Sequence, residues 1–449
     1  MSEAKPASKT AALRTSFPEG TIPVAVALLV AGVATYLFFK VGTYAVGDNA
    51  LERKENFKPL SSLWFATFAL APGFFLPLEQ ELGRAIGHRR AIGEGGQPVV
   101  AKVARLGLLL GGLVALVIIC LSPLIASNYF EDNWVMVAAL VVAFLAYAPA
   151  HLARGICSGS GRFRPYAIVM GTDGVVRITV CVLFVLLGIQ AVGAYAFVIA
   201  LSPLVGLSIV YSRGSLKTEP GPAAPWSEVT PNLGWLLIGS ISAAGLLNAG
   251  PVMTAILAPE NRRAEVTEFG YGVLLARVPL FMFQAVQAAL LPRLSRLAAA
   301  GNFAEFRNGL KRLLVLVIGV GIIGSLGALA IGPFILEKVY DAELSSVTLA
   351  LLAAGSACYM VSLALAQAVI ALKGHSLVAG GWVIGVVALL IGAWLGSDEV
   401  FRRVEIGLLT SSIAAMAYFG LALRHKLESG ARPDEQSVLE GLTDMPFET

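Results

Sequence analysis

Twelve stretches of this chain are apolar over about 18 or more residues, and nothing else in the sequence constrains the fold as strongly. A helix needs about 20 apolar residues to cross the hydrocarbon core of a bilayer, where every main-chain N–H and C=O must be bonded internally. We therefore predict an all-α integral membrane protein with twelve spans joined by short loops. The spans are predicted at approximately 21–46, 60–83, 104–125, 134–153, 165–187, 192–212, 232–257, 269–292, 313–336, 344–371, 376–396 and 404–423.

The composition agrees with a chain that lies mostly in a membrane. Charged residues make up 14% of it and apolar residues 57%, whereas a soluble domain is about a quarter charged. The four cysteines show no Cys-x-x-Cys spacing, which favours packing over a disulfide framework or a zinc site. The first 20 residues lack a cleavage-site pattern, so we expect the first apolar stretch to remain in the protein as a helix.

The positions of Lys and Arg predict the orientation. Outside the spans, 22 of them lie on the side that holds both termini and 8 on the opposite side. Because cytoplasmic loops of membrane proteins carry the excess of Lys and Arg, we predict that both termini are cytoplasmic and that the protein lies in a bacterial inner membrane.

Proline and glycine residues recur at corresponding helix ends in the two halves of the chain, at offsets of 210–215 residues. The corresponding residues are Pro77 and Pro292, Pro123 and Pro333, and Gly161 and Gly374. Six spans return the chain to the same side, so the repeats would be parallel. We predict a tail at 1–20, a six-helix bundle at 21–212, a linker at 213–231, a second six-helix bundle at 232–425 and an acidic tail at 426–449, with a central cavity between the bundles.

A family resemblance rests on two strings. Residues 275–301 read LARVPLFMFQAVQAALLPRLSRLAAAG, and residues 77–84 read PLEQELGR. These strings resemble matching positions of Wzx-like polysaccharide flippases in the multidrug/oligosaccharidyl-lipid/polysaccharide (MOP) exporter superfamily. The resemblance implies two six-helix bundles and a polyprenyl-pyrophosphate-linked oligosaccharide as cargo, moved to the outer leaflet by alternating access. Lipid II flippases of the superfamily add two spans, which argues against a peptidoglycan-precursor role.

Charged side chains inside the predicted spans are the first candidates for the substrate path. Asp173 and Arg177 lie four residues apart and share a helix face, and Arg277 reaches a similar depth in the other half, near the midplane. Gln284 and Gln287 extend the polar face of Arg277. We hypothesise that these residues line a hydrated cleft in which the arginines bind pyrophosphate and the amides bind sugar hydroxyls. The alternative is a structural salt bridge of Asp173 with Arg177 or Arg277.

Further candidates lie near the membrane surfaces. Lys40 is a weaker candidate for the path, because a lysine near the outer surface can extend to the headgroups. Glu79 and Arg84, at the cytoplasmic end of span two, are candidates for a gate, although a solvated helix end also explains them. Arg293 and Arg296 belong to a basic collar that is suited to anionic headgroups, or that acts only as a positive-inside anchor.

No nucleotide-binding string occurs, so we expect no cofactor and a drive from H+, Na+ or the membrane potential. The expected partners are the lipid-linked oligosaccharide, membrane lipids and polysaccharide polymerases or glycosyltransferases, with no nucleic acid, and we expect a monomer. A MATE-like ion-coupled exporter is the nearest alternative function. A membrane glycan-assembly enzyme is disfavoured because the outer loops are short and lack histidine. A scaffold that recruits assembly enzymes through its tails stays open.

Overall fold

The computed structural model describes residues 21–229, 233–280 and 300–428, together with residues 283, 294, 297 and 298. These ranges contain helices and no β-strand. The helices are α1 (Thr21–Ala45), α2 (Ala50–Ala91), α3 (Gln97–Cys120), α4 (Ser122–Tyr129), α5 (Trp134–Gly159), α6 (Phe163–Leu186), α7 (Val192–Ser212), α8 (Trp226–Val229), α9 (Leu233–Leu257), α10 (Arg263–Ala276), α11 (Phe303–Tyr340), α12 (Ser346–Ala371), α13 (His375–Leu395) and α14 (Val400–Glu428).

Within the described ranges, eleven helical segments are long and apolar enough to cross a membrane. The chain is therefore a multi-pass membrane protein, and the predicted all-α class is confirmed. The second half of the eighth predicted span, from residue 281 on, lies outside the described residues except for residue 283. The first part of this span is α10, which continues as a further short helical stretch up to Leu280.

The helices form two bundles, as predicted. In the N-terminal bundle, α1 packs on α6, and α5 packs on both α2 and α7. In the C-terminal bundle, α11 packs on α12, and α14 packs on both α12 and α13. Helix α2 crosses from the first bundle to the second, where it contacts α9 and α10. A Cβ atom added to Gly73 would lie 3.1 Å from the Cα of Ile241, so the absence of a side chain at Gly73 allows α2 and α9 to cross closely.

Helix α2 is longer than the predicted second span, which was placed at 60–83. Its 42 residues extend about 63 Å at ~1.5 Å per residue, well beyond the ~30 Å hydrocarbon core. Asn49 caps its first turn by accepting a hydrogen bond from the main-chain N–H of Glu52. The sequence prediction was too short because it counted apolar residues alone, whereas a capped polar turn can begin a helix outside the apolar stretch.

The ninth span was predicted too short for the same reason. It was placed at 313–336, but α11 spans Phe303–Tyr340. Asn302 accepts a hydrogen bond from the main-chain N–H of Glu305 and so starts the helix in its basic, polar section. The short helix α4, which follows α3, was not predicted as a separate element.

The segment between the bundles is attached to the N-terminal bundle. The Nε and Nη2 atoms of Arg89 donate to the two carboxylate oxygens of Glu228 in α8, at 2.6 and 3.0 Å. Arg89 also donates to the main-chain oxygen of Pro222, and Arg84 donates to that of Glu228. Gly95 and Gly221 lie so close that a Cβ on Gly221 would be 2.5 Å from the Gly95 oxygen. Part of the predicted linker is thus a strap fixed to the ends of α2 and α3.

Candidate functional site

Arg177 lies inside the N-terminal bundle, where a carboxylate compensates its charge. Its Nη2 donates to a carboxylate oxygen of Asp173, one helical turn earlier in α6, at 2.7 Å. Tyr147 of α5 and Ser202 of α7 also donate to this carboxylate. The guanidinium lies over the ring of Phe68, 4.9 Å from its centroid. Only 2% of Arg177 is exposed, so in this conformation the pair acts as a contact among α2, α5, α6 and α7.

Arg277 lies in the C-terminal bundle, at the point where α10 ends. Its Nη1 donates to the amide oxygen of Asn248 at 3.0 Å, and its Nη2 donates to the main-chain oxygen of Leu247. That oxygen is available because Pro251, four residues later, has no N–H to donate to it. The guanidinium also lies over the ring of Phe65, at 5.7 Å. All these partners are uncharged.

Asn248 connects Arg277 to the other bundle. Its amide nitrogen donates to the main-chain oxygen of Phe68 in α2, at 3.3 Å. The Phe68 oxygen lacks its helical donor because the residue four positions later is Pro72. Pro72 in α2 thus leaves the Phe68 carbonyl without a helical donor, and Pro251 does the same for the Leu247 carbonyl. At the boundary between the bundles, Asn248 donates to the first carbonyl and Arg277 to the second.

Arg277 is the only buried charged residue of the described ranges that lacks an ion pair. Leaving the histidine His151 aside, the structure describes seven buried charged residues: Lys58, Glu79, Glu81, Arg89, Arg177, Arg277 and Glu405. Six of the seven form an ion pair with a residue of opposite charge. No carboxylate within the described ranges lies within 4.0 Å of the Arg277 nitrogens. Burying a charge without a counter-charge costs several kcal/mol, in the range of about 3–5 kcal/mol when a pair is broken.

A small cavity lies beside Arg277 in the C-terminal bundle. Its volume is about 40 Å³, and its polar lining comes from Arg277, Ser356, Tyr359 and Ser412. On this measure one water needs about 10–15 Å³, so the cavity holds a few waters or one small ion. A sugar cannot enter it in this conformation. Among the described residues, no group of three His, Cys, Asp or Glu side chains is placed to hold a metal ion.

The bundles are joined at the end that holds the α1–α2 loop, which we call the outer end after the predicted orientation. Lys54 and Glu268 form an ion pair of 2.7 Å between α2 and α10. Glu131 pairs with Lys58 of its own bundle and with Arg263 of the other, the latter at 3.0 Å. The Glu131 carboxylate is therefore a contact between the two bundles.

Tyrosine and threonine hydroxyl groups also link the two bundles near this outer end. Tyr36 of α1 donates to the main-chain oxygen of Leu274 at 2.8 Å, and the hydroxyls of Thr43 and Tyr271 share a hydrogen bond. The ring of Tyr271 stacks on that of Tyr340, with centroids 4.5 Å apart. The outer ends of the bundles are thus closed against each other.

Glu79 is buried, which corrects the expectation of a solvated helix end. It accepts hydrogen bonds from Nδ1 of His151 at 2.8 Å, from Arg154 at 2.5 Å and from the hydroxyl of Tyr166 at 3.0 Å. The expectation failed because α2 continues to Ala91, so that Glu79 lies well inside the helix and faces α5. Arg84, by contrast, is about one-third exposed and pairs with Glu81 at 2.8 Å.

The remaining predicted site residues do not lie at the Arg277 boundary or are not described. The Lys40 nitrogen lies over the ring of Tyr44, 4.7 Å from its centroid, near the outer end of α1. Gln284, Gln287, Arg293 and Arg296 lie outside the described residues. Sequence analysis did not select Asn248 as a site residue. The only signal was an amide next to Gly250 and Pro251 in an otherwise apolar span.

No family model matches the chain. An uncharacterized protein of Mycobacterium tuberculosis (strain ATCC 25618 / H37Rv) is 28% identical over 322 residues, which cover 68% of this chain and 69% of that protein. A second uncharacterized protein of the same strain is 25% identical over 341 residues, covering 73% of this chain and 74% of that protein.

Solved structures match over nearly the whole chain. An inward-facing multidrug resistance MATE family transporter of the MOP superfamily has a TM-score of 0.68 and 15% identity, covering 90% of this chain and 98% of that one. A mutant of the Vibrio cholerae MATE transporter VcmN has a TM-score of 0.66 and 16% identity, covering 92% and 97%. A MATE structure in the bent conformation has a TM-score of 0.65 and 15% identity, covering 95% and 100%. The chain therefore has the fold of the MATE transporters of the MOP superfamily.

Proposed function

We propose that this protein is a flippase that moves a polyprenyl-pyrophosphate-linked oligosaccharide from the cytoplasmic to the outer leaflet. The observation that carries the proposal is Arg277, a buried guanidinium without a carboxylate partner in the described part of the chain, at the boundary between two bundles. A pyrophosphate would supply the missing negative charge, and a guanidinium binds phosphate oxygens through paired N–H donors.

The motion that admits the cargo is a separation of the two bundles, 21–212 and 232–425, about the strap between them. The cavity beside Arg277 is too small for a sugar, so the closed arrangement must open before a headgroup reaches the guanidinium. The contacts that open on the outer side are the pairs Lys54–Glu268 and Glu131–Arg263. Opening on one side at a time gives alternating access to a site at the boundary.

The second candidate function is export of small molecules, and the fold shared with a multidrug resistance MATE transporter favours it. An exporter of cations needs free carboxylates in its path. The buried carboxylates of the described residues, Glu79, Glu81 and Glu405, each pair with an arginine, and the partly buried Asp173 pairs with Arg177. Among the described residues, the one buried charge without a counter-charge is a cation, Arg277, which supports an anionic cargo.

Depletion of the protein in its host tests the proposal. We expect a lipid-linked oligosaccharide to accumulate on the cytoplasmic leaflet, where mass spectrometry identifies its glycan. Expression in a pump-deficient strain should leave resistance to cationic drugs unchanged. Drug resistance without any accumulation of a lipid-linked precursor would overturn the proposal in favour of the exporter.

A further inference from the structure

The position that contacts Arg277 carries an amide where a carboxylate would complete an ion pair. We propose that Asn248 is a specificity-determining residue: it holds the Arg277 guanidinium in place without neutralising it, so that the boundary between the bundles binds pyrophosphate-type anions. This inference rests on the proposed function and names the residue that keeps the site cationic.

The surroundings of Asn248 suit a neutral side chain that both donates and accepts hydrogen bonds. Its oxygen accepts from Arg277 at 3.0 Å, and its nitrogen donates to the main-chain oxygens of Ala244 at 3.1 Å and Phe68 at 3.3 Å. The side chain is 2% exposed, so water does not replace these partners. An aspartate has no N–H, and its second oxygen would face the two carbonyl oxygens without a hydrogen atom between them. The contacts therefore select a neutral side chain that both donates and accepts.

The hydrogen bonds of Arg277 are satisfied in part, but no carboxylate in the described ranges neutralises its charge. The acceptors are the Asn248 amide and the Leu247 carbonyl, which Pro251 leaves without a helical donor. Neutral acceptors orient a guanidinium and leave its net positive charge in place. The site is thus prepared for an anion before any ligand arrives, which is the arrangement that favours tight binding.

Arg177 provides a comparison within the same chain. Like Arg277, it is a buried arginine that lies over a phenylalanine ring of α2. Its polar partner is a carboxylate, Asp173, and this carboxylate neutralises it. The two sites differ chiefly in the polar partner of the arginine, which is the Asn248 amide for Arg277 and the Asp173 carboxylate for Arg177. Anion binding should therefore depend on residues 248 and 277 and not on the Asp173–Arg177 pair.

The test measures binding of inorganic pyrophosphate to the purified full-length protein in detergent, by isothermal titration calorimetry. We expect Asn248→Asp to weaken binding by at least about tenfold, the change that about 1.4 kcal/mol produces. Arg277→Gln should abolish binding. Asn248→Ser keeps the position neutral and should bind within about threefold of the wild type, which corresponds to about 0.7 kcal/mol. Asp173→Asn, the matched change at the other arginine, should not weaken binding.

The outcomes separate the two proposals. Binding that is lost in Arg277→Gln but retained in Asn248→Asp overturns the role of Asn248 alone. Equal loss in Asn248→Ser and Asn248→Asp also overturns it, because the amide would then act through packing and not through charge. If the wild type and Arg277→Gln bind pyrophosphate equally, or neither binds, the anion site of the proposed function fails. A lower affinity for pyrophosphate in Asn248→Asp than in Asn248→Ser supports the inference, even if both variants are less stable than the wild type.

Discussion

Phe65 and Phe68 lie three residues apart on α2, and each ring lies under a guanidinium from a different bundle. Arg277 lies 5.7 Å from the centroid of Phe65, and Arg177 lies 4.9 Å from that of Phe68. Cation–π contacts of this kind contribute about 0.5–2 kcal/mol each. One helical turn of α2 therefore contacts Arg177 and Arg277, and a movement of α2 changes the surroundings of both.

Replacement of the two arginines by methionine should separate a structural charge from a functional one. Arg177→Met leaves Asp173 buried without its counter-charge and should lower the free energy of unfolding by about 3–5 kcal/mol. Arg277→Met removes a buried charge that has no counter-charge in the described part of the chain, and this gain offsets the hydrogen bonds lost to Asn248 and Leu247, so the free energy of unfolding should not fall by more than about 1 kcal/mol. Thermal unfolding in detergent measures both effects. A loss of stability at Arg277→Met as large as at Arg177→Met would show that Arg277 is a structural residue.

The ion pairs Lys54–Glu268 and Glu131–Arg263, which we call the latch, should hold the outer ends of the two bundles together. Glu268→Gln removes the counter-charge of Lys54, whose side chain is 13% exposed, and should favour separation of the outer ends. A partly buried pair of this kind contributes about 1–2 kcal/mol, which shifts the population by about fivefold to thirtyfold. Spin labels at the exposed positions 48 and 260, in a protein without its native cysteines, report the distance between the two bundles.

Glu337→Gln is the matched control for the latch. Glu337 pairs with its neighbour Lys338 in the C-terminal bundle, and both side chains are largely exposed. The spin-label distances should not respond to this change. Identical distance distributions in Glu268→Gln and the wild type would remove the outer pairs from the gating mechanism.

The strap between the bundles should loosen when Arg89 loses its paired hydrogen bonds. Arg89→Lys keeps the charge but cannot reproduce the two contacts with Glu228 together with the contact to the Pro222 oxygen. We expect tryptic cleavage after Lys217 to become about tenfold faster, as loss of ~1.5 kcal/mol would produce. Arg90→Lys, at the exposed neighbouring position, should leave the cleavage rate unchanged. Equal rates in Arg89→Lys and the wild type would mean that the strap is held by other contacts.

The cluster around Glu79 should behave as one coupled unit. Glu79→Gln leaves Arg154 uncompensated, whereas Glu79→Gln combined with Arg154→Met removes both charges. The double variant should be more stable than the sum of the single effects predicts, with a coupling energy of at least about 1 kcal/mol. Chemical denaturation of the four proteins completes the cycle. Additive effects would contradict a buried ion pair at this position.

The spans could be predicted from sequence because the constraint behind them is local. A run of apolar residues in a bilayer forms a helix whatever it packs against, since its main chain must bond to itself. The ends of α2 and α11 were missed because Asn49 and Asn302 cap polar turns, which hydropathy does not detect.

The site was predicted only in part, because its contacts are distant in sequence. The spacing of Asp173 and Arg177 indicated that they could pair, and they do. The proline at position 72 implies a free carbonyl at Phe68 but does not say what binds it. Asn248 reaches that carbonyl from 180 residues away, and only the packing of α9 on α2 brings the two together.

The decisive experiment measures transfer of a polyprenyl-pyrophosphate-linked oligosaccharide between the leaflets of reconstituted liposomes that contain the wild type or Arg277→Gln. We expect transfer by the wild type and a fall to the rate of protein-free liposomes in Arg277→Gln, with both proteins inserted in equal amounts. Transfer by Arg277→Gln at the wild-type rate would show that the uncompensated guanidinium does not serve the cargo.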